Sequence, residues 1–374
     1  MKIFGWKSAG RDDVRPALSR HGWPLGTDSG ATGDWPRDYE KQVRDGYCSN
    51  AIAQRSVRLV AEGLGGAPVL ASERQLLDLV TARSGGQALA ETVAAHLLLH
   101  GNAYVQLLTN AQGMVCELFA LRPDRVTVEP DARGWPVAYN YKVRDKMVRL
   151  LAEDPAGRPA IVHIKAFHPL DDHYGLGCLG AAAGAIAIYN AAARWNKALL
   201  DNAARPSGAL VYDPGDGSTL TRDQFERLRA EMAASFSGSG NAGRPMLLEG
   251  GLRWQALSLS PADMDFAGTK ASAAREIAMA FGVPPMLLGL PGDATYANYR
   301  EANRALWRLA ILPLAQTIFA GLAQALDGWF SGAALRVDLD RIPALAEDRE
   351  RLWAQLNAAD FLTTEEKRAM LGLV

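Results

Sequence analysis

Three things are scarce in this 374-residue chain: cysteine, an excess of either charge, and an apolar run near the N-terminus. The only cysteines are Cys48, Cys116 and Cys178, far apart and in no metal-ligand spacing. An odd, sparse set argues against a disulfide framework and for a reducing compartment. Forty Lys and Arg stand against 41 Asp and Glu, a formal net charge of −1. A protein that grips nucleic acid over its whole surface carries a basic excess, so this balance argues against that class. Residues 1–7, MKIFGWK, hold no apolar stretch of the kind a secretory signal needs. No GxxxxGK[ST], GxSxG or HExxH occurs, so the phosphate-cradling loop, the nucleophile elbow and the two-histidine zinc helix are all missing. What remains is ordinary globular chemistry. Hydrophobic residues make up 48% and charged residues 22%, and the length suits roughly two to three domains.

Residues 11–47, rich in Gly, Pro, Asp and Arg, read as an irregular or mobile arm. Ser49 or Asn50 then caps a helix that ends at Gly63–Gly66. A short strand is expected over 67–70, a helical turn over 75–81, and a helix over 87–100 closed by Gly101. Strands follow at 103–108, 114–120, 125–129, 137–143 and 161–164. Their connections are too short for helical crossovers, so the pairing is antiparallel.

From Gly180 the character changes. Residues 181–204 are nearly uninterrupted helix formers, about 36 Å long if straight. A strand at 209–212, a helix capped by Thr219 or Thr221 and running through Phe236, and a strand pair at 246–248 and 252–257 come next. Ser260-Pro261 opens a second long helix to Phe281, roughly 32 Å. Ala267, Gly268, Ala271, Ala274 and Ala278 keep its face small, as alanines and glycines do in the first. Gly289–Asn298 reads as a polar loop. A third long helix, Tyr299–Leu326, is expected to kink near Pro313. Its stretch from Leu309 to Leu326 has no charge and reaches spanning length. However, Pro313, Gln316, Thr317, Ala320 and Gln324 fall on one side, which reads as a core helix with one polar or small face rather than a membrane span. A strand at 335–339 and helices at 345–356 and 363–371 finish the chain, the last with a capping box at Thr363–Glu366.

Two constellations could carry chemistry. Gly175-Leu176-Gly177-Cys178-Leu179-Gly180 fits GxGxxG, but residues 168–174 separate it from the preceding strand and no parallel βαβ unit surrounds it. Close packing at a helix start is the stronger reading. His163, His168, Asp171, Asp172 and His173 cluster like metal ligands in no named spacing, and a hydrogen-bonded loop is the stronger reading there. No catalytic residue, cofactor or metal is assigned.

Several stretches together resemble the portal proteins of tailed bacteriophages, in particular the short portals shared with gene transfer agents. These are Gly101-Asn102-Ala103-Tyr104-Val105, Leu121-Arg122-Pro123-Asp124-Arg125-Val126, Gly134-Trp135-Pro136-Val137-Ala138-Tyr139, Ile161–Ile164 with Tyr174–Gly177, and Pro206-Ser207-Gly208. The last are Phe281-Gly282-Val283-Pro284-Pro285-Met286-Leu287-Leu288-Gly289 and Tyr296-Ala297-Asn298-Tyr299. They span roughly residues 50–342 in the family's order.

The resemblance implies an α+β portal fold. Its parts would be an N-terminal arm (1–48), a mixed α/β wing (49–180), stem helices at 181–205 and 261–288 bracketing a small α/β clip (206–260), and a channel loop (289–298). A long kinked helix with a return strand (299–342) and a short helical crown (343–374) complete it. It implies a non-enzymatic ring, most often of twelve copies, at a capsid vertex. That ring would conduct double-stranded DNA during packaging and ejection, contact the major capsid protein, and dock the large terminase and the head–tail adaptor. The alternative is a structural head–tail protein that conducts no DNA. On this implication the channel loop offers Gly292, Asp293, Thr295, Tyr296 and Asn298. The clip offers Arg222, Arg227, Arg229, Arg244 and Glu249 for docking. The stem lysines are Lys197 and Lys270, one facing the channel and the other a neighbouring subunit. Near-neutrality suits a conduit, because every phosphate neutralised by Lys or Arg adds affinity that would hold the DNA back.

Overall fold

The computed structural model describes residues 16–18, 38–201, 208–215, 219–236, 251–256, 266–290 and 296–372. They divide into two compact units, one within 1–183 and 276–374, the other within 184–275.

The first unit opens with helix α1, Tyr39–Val43, and a π-helical turn, Arg44–Cys48. This corrects the irregular arm expected up to residue 47. Asp38 caps the helix, Glu40 and Arg44 pair at 2.7 Å, and the Tyr39 ring meets His100 edge-on at 4.6 Å. Two local contacts and one to a residue distant in sequence hold a helix whose sequence has no apolar period. Helix α2, Ala51–Gly65, is capped by the Asn50 carboxamide, which accepts from the amides of Ile52 and Ala53 at 3.0 Å. It buries Ala53, Val57, Val60 and Leu64.

Strand β1, Val69–Ala71, and helix α3, Arg74–Thr81, follow. A two-residue hairpin joins β2, Arg83–Ser84, to β3, Gln87–Ala88. Gly85 and Gly86 supply its positive φ of 58° and 86°, the backbone a tight hairpin with this twist demands. Helix α4 therefore begins at Leu89, two residues later than its sequence suggests, and runs to His100 with Gly101 as its left-handed cap, φ 82°.

Two antiparallel sheets form the β-rich part. In one, β4 (Asn102–Thr109) lies between β5 (Val115–Leu121) and β9 (Ile161–Lys165). In the other, β7 (Pro136–Val143) lies between β6 (Val126–Pro130) and β8 (Lys146–Leu151). Strand β8 was not anticipated, because KMVRLL has no clean alternation and the preceding Arg144-Asp145 carries no glycine. Tyr104, Leu121, Val126, Val128, Tyr139 and Ile161 close a shared core between the sheets.

Helix α8, Tyr296–Leu306, a π-helical turn, Trp307–Ile311, and helix α9, Leu312–Leu326, run on without a break. The kink expected at Pro313 is a π turn just ahead of it. Widening the backbone there separates the proline ring from the carbonyl four residues back, where an α-helix would clash. This helix is long and apolar enough to cross a membrane by length and composition. Its apolar face is nonetheless spent inside the protein. Ala315, Ile318, Phe319, Leu322 and Leu326 are buried, and α9 packs against α4, β9 and the strand β12, Leu335–Val337. Each such large side chain contributes roughly 1.5–3 kcal/mol. Pro313, Gln316, Thr317, Ala320 and Gln324 are the exposed row, as their spacing predicts.

Strand β12 pairs with β1. Helices α10, Ala346–Ala358, and α11, Thr364–Leu371, end the unit, the latter with the expected Thr363–Glu366 capping box. Helices α5, Cys178–Asp201, and α7, Phe266–Ala280, each begin in one unit and end in the other. Within the second unit, β10 (Gly208–Tyr212) pairs with β11 (Leu252–Ala256) and helix α6 spans Arg222–Phe236. The partner of 252–256 is thus 208–212. The expected partner 246–248 lies outside the described residues, as do the expected start of α7 at Ser260-Pro261 and residues 291–295 of the expected 289–298 loop.

Candidate functional site

The two small-residue helices carry the site that the sequence points to. Inside the second unit they run antiparallel and touch through rings. Trp195 of α5 stacks on Phe266 of α7 with centroids 6.0 Å apart and planes 27° off parallel. Lys270 of α7 places its ammonium 4.8 Å from the Tyr189 ring of α5. Ala185, Ile186 and Ala192 are buried on α5, and Ala273 and Ala274 on α7.

Lys197 pairs with Asp201 one turn on at 2.7 Å, both side chains mostly in solvent. Such an exposed i,i+4 pair contributes about 0.3–0.5 kcal/mol. The two stem lysines are therefore held differently, one by a carboxylate on its own helix and one by a ring on the opposite helix. The i,i+4 spacing made Asp201 findable in sequence. Nothing local singled out Tyr189, Trp195 or Phe266.

Helix α6 projects the clip candidates. Arg222, Arg227 and Arg229 are exposed, and so is Phe225, at 55%. Thr221 and Gln224 exchange capping hydrogen bonds, the Thr221 amide donating to Gln224 Oε1 at 2.9 Å. Arg244 and Glu249 lie outside the described residues, as do Gly292, Asp293 and Thr295 of the channel-loop set. Tyr296 and Asn298 are helical, in the first turn of α8, which corrects the loop expected as far as 298. Tyr296 is 78% exposed, with the Arg300 guanidinium 5.5 Å from its ring.

The glycines ahead of α5 have a packing role. A Cβ on Gly175 would lie 2.1 Å from the Gly101 carbonyl oxygen, and one on Gly177 would lie 2.7 Å from that of Leu99. Two backbone segments meet here with no room for a side chain, which leaves the fingerprint no phosphate cradle to form. Asn102 ties the same junction. Its Oδ1 accepts from Gly175 N at 2.7 Å and from His163 Nε2 at 3.0 Å, and its Nδ2 donates to Gly175 O at 3.2 Å. Burial pushes the His163 imidazole down to about 3, with smaller repulsion from Lys165. The neutral ring carries its proton on Nε2 and stacks on Tyr104 at 4.3 Å. Burial likewise raises the phenols of Tyr104 and Tyr139 above their usual range.

The remaining members of the candidate metal cluster are spent on the loop itself. His168 Nδ1 accepts from Leu170 N at 3.0 Å, Asp171 Oδ1 accepts from the amides of His173 and Tyr174, and His173 Nε2 sits 2.5 Å from Gly134 O. Among the described residues no three His, Cys, Asp or Glu side chains converge as a metal site would need.

Comparison with known proteins matches this architecture. Residues 47–372 fit the family model described as phage portal protein. A chain solved in the neck of a native gene transfer agent particle, computed with C12 symmetry, is 50% identical, with a TM-score of 0.69 over 92% of this chain and 97% of that one. An uncharacterized protein of Rickettsia felis is 40% identical over 354 residues, covering 89% of this chain and 90% of its own. A probable portal protein of Streptomyces phage phiC31 is 28% identical over 327 residues, covering 80% and 69%. The mixed α and β fold is that of the portals, and this chain belongs to the phage portal protein family.

Proposed function

We propose that this chain is the portal subunit of a tailed particle: copies of it close a ring at one capsid vertex, and duplex DNA passes through the bore in packaging and ejection. The observation that carries this is the half-identical chain, matched along 92% of this one, in a particle neck computed with C12 symmetry. Twelve copies is accordingly the number proposed here.

The paired helices α5 and α7 would line the bore as the stem, with Lys197 and Lys270 as their lysines. A slim pair of helices cannot bury both sides alone, and neighbouring copies around a ring supply the missing surface. Arg222, Arg227, Arg229, Arg244 and Glu249 would be the face offered to the packaging motor and later to the head–tail adaptor. Gly292, Asp293, Thr295, Tyr296 and Asn298 would approach the DNA. The portal acts as a structural conduit, and the ATP hydrolysis that drives packaging belongs to a docked partner.

End-on electron microscopy of the purified full-length chain tests the reading. Rings of about twelve copies with a bore wide enough to pass duplex DNA are expected. A closed bore would favour a structural head–tail role without DNA conduction. A species that stays monomeric at every concentration would overturn both.

A further inference from the structure

A ring that closes head to tail needs two unlike, complementary patches on each copy. The first unit carries a cleft and a hairpin with that relationship.

The cleft lies between the π turn Arg44–Cys48, α2 and α4. Its volume is ≈ 490 Å³, and Tyr47, Gln54, Arg58, Glu62, Glu91 and His96 are among its walls. Glu62 is already taken by Arg58 at 2.6 Å and by Arg55 at 3.6 Å. The Glu91 side chain holds no hydrogen bond or ion pair among the described residues, although it lies in Coulombic reach of Tyr47 and Arg58. His96 Nδ1 is buried without a partner, which folded proteins ordinarily avoid. Burial holds that imidazole neutral, down to about 4. The cleft thus presents the Glu91 carboxylate, while its own cation, Arg58, is committed to Glu62.

The hairpin joins β7 to β8. At its tip Arg144 has φ 53°, the one positive value outside glycine among the described residues. Tight hairpins favour Asn or Gly there, and strained backbone is retained where a side chain has work to do. Lys142 and Lys146 flank the tip, and the Arg144 side chain is exposed, with no ion pair among the described residues. Directly behind it Met147 and Val148 are 63% and 51% exposed. As consecutive residues of β8 they point to opposite faces of the hairpin, so apolar surface flanks the tip on both sides.

We propose that the Arg144 tip of one copy docks in the Glu91–His96 cleft of the next, and that Met147 and Val148 are covered at its rim. The cleft's occupant is a second copy of this chain, so the inference rests on the ring reading. Arg144 donates to the Glu91 carboxylate, which has no partner among the described residues of its own chain. Each copy has one tip and one cleft, so the contact propagates around the ring.

Charge reversal in the full-length chain tests this. Arg144→Glu and Glu91→Arg should each raise the concentration at half-assembly by about tenfold or more, read by native mass spectrometry, with monomer circular dichroism unchanged. Combining the two should restore assembly. Single variants that assemble like wild type overturn the proposal, and so does a double variant no better than the singles. A second measurement is independent of charge. Arg144→Cys with Glu91→Cys, in a Cys48→Ser, Cys116→Ser background, should give a ladder of disulfide-linked multimers on oxidation. Rings seen by microscopy with no ladder overturn the docking and leave the ring standing. Wild-type protein that forms no ring overturns the ring and this contact with it.

Discussion

Asn102 Oδ1 accepts a 2.7 Å hydrogen bond from the Gly175 amide, 73 residues further along the chain. The same side chain returns a donor to the Gly175 carbonyl and is 1% exposed. One residue at the start of β4 therefore fixes the turn from which α5 departs three residues later. Asn102→Ala leaves a buried N–H and C=O without partners, at about 1–3 kcal/mol for a stranded group. A loss of roughly 2–4 kcal/mol in urea unfolding is expected. A loss well under 1 kcal/mol would mean the turn is held by something else.

The glycines of the same junction separate packing from backbone freedom. Gly175→Ala forces a Cβ to 2.1 Å from the Gly101 oxygen, whereas a Cβ on Gly85 meets nothing within 4 Å. Gly85 has φ 58°, so Ala there costs about 1–2 kcal/mol from conformation alone. Gly175→Ala should cost more than about 3 kcal/mol or leave the chain insoluble. Similar unfolding midpoints for the two variants would contradict the close approach.

Local rules made much of this legible. Asn50 before an apolar period, Gly101 after one and the Thr363–Glu366 box each announce a helix end, because a cap is satisfied within four residues. The exposed row from Pro313 to Gln324 was readable for the same reason. What escaped depends on partners distant in sequence or on departures from regular backbone. Strand β8 exists because β7 offers it a register, Tyr39 is helical because His100 receives its ring, and the π turn ahead of Pro313 leaves no periodic trace. For the stem, the pattern of alanines marked the helices. Only the fold revealed that Tyr189 and Phe266 are the side chains through which they meet.

The C-terminal helices should be sensitive to acid. Arg349 holds the Asp340 carboxyl below its usual range, first through a hydrogen bond of 2.5 Å, and Trp353 Nε1 donates at 3.2 Å. A carboxylate depressed on folding stabilises above its unfolded value, here 3.8, and that contribution is lost as pH falls through the folded value. Asp340→Asn should therefore unfold more easily than wild type at neutral pH, and the difference should shrink as the pH drops below 3.8. A gap that stays constant across the acid range would show that Arg349 gains nothing from this charge.

The stem lysines make the sharpest separation between holding the ring and serving the bore. Lys270 lies over Tyr189, a contact between the two stem helices, and a cation over an aromatic face at a partly exposed site stabilises by about 0.5–1 kcal/mol. Among the described residues Lys197 is bound only to Asp201 on its own helix, with 75% of its side chain exposed. Removing Lys270 should therefore loosen the helix pair and lower ring stability. Removing Lys197 should leave stability within about 0.5 kcal/mol and act on the DNA instead. Each cation facing the bore adds a salt-sensitive attraction to phosphate, multiplied by the number of copies. Lys197→Ala should then change the amount of DNA retained per particle, and the change should fade as ionic strength rises. Lys270→Ala should instead shift the dissociation of rings in denaturant, with retained DNA following ring number. If Lys197→Ala with Lys270→Ala leaves both ring stability and packaged DNA as in wild type, neither lysine has the role given to it.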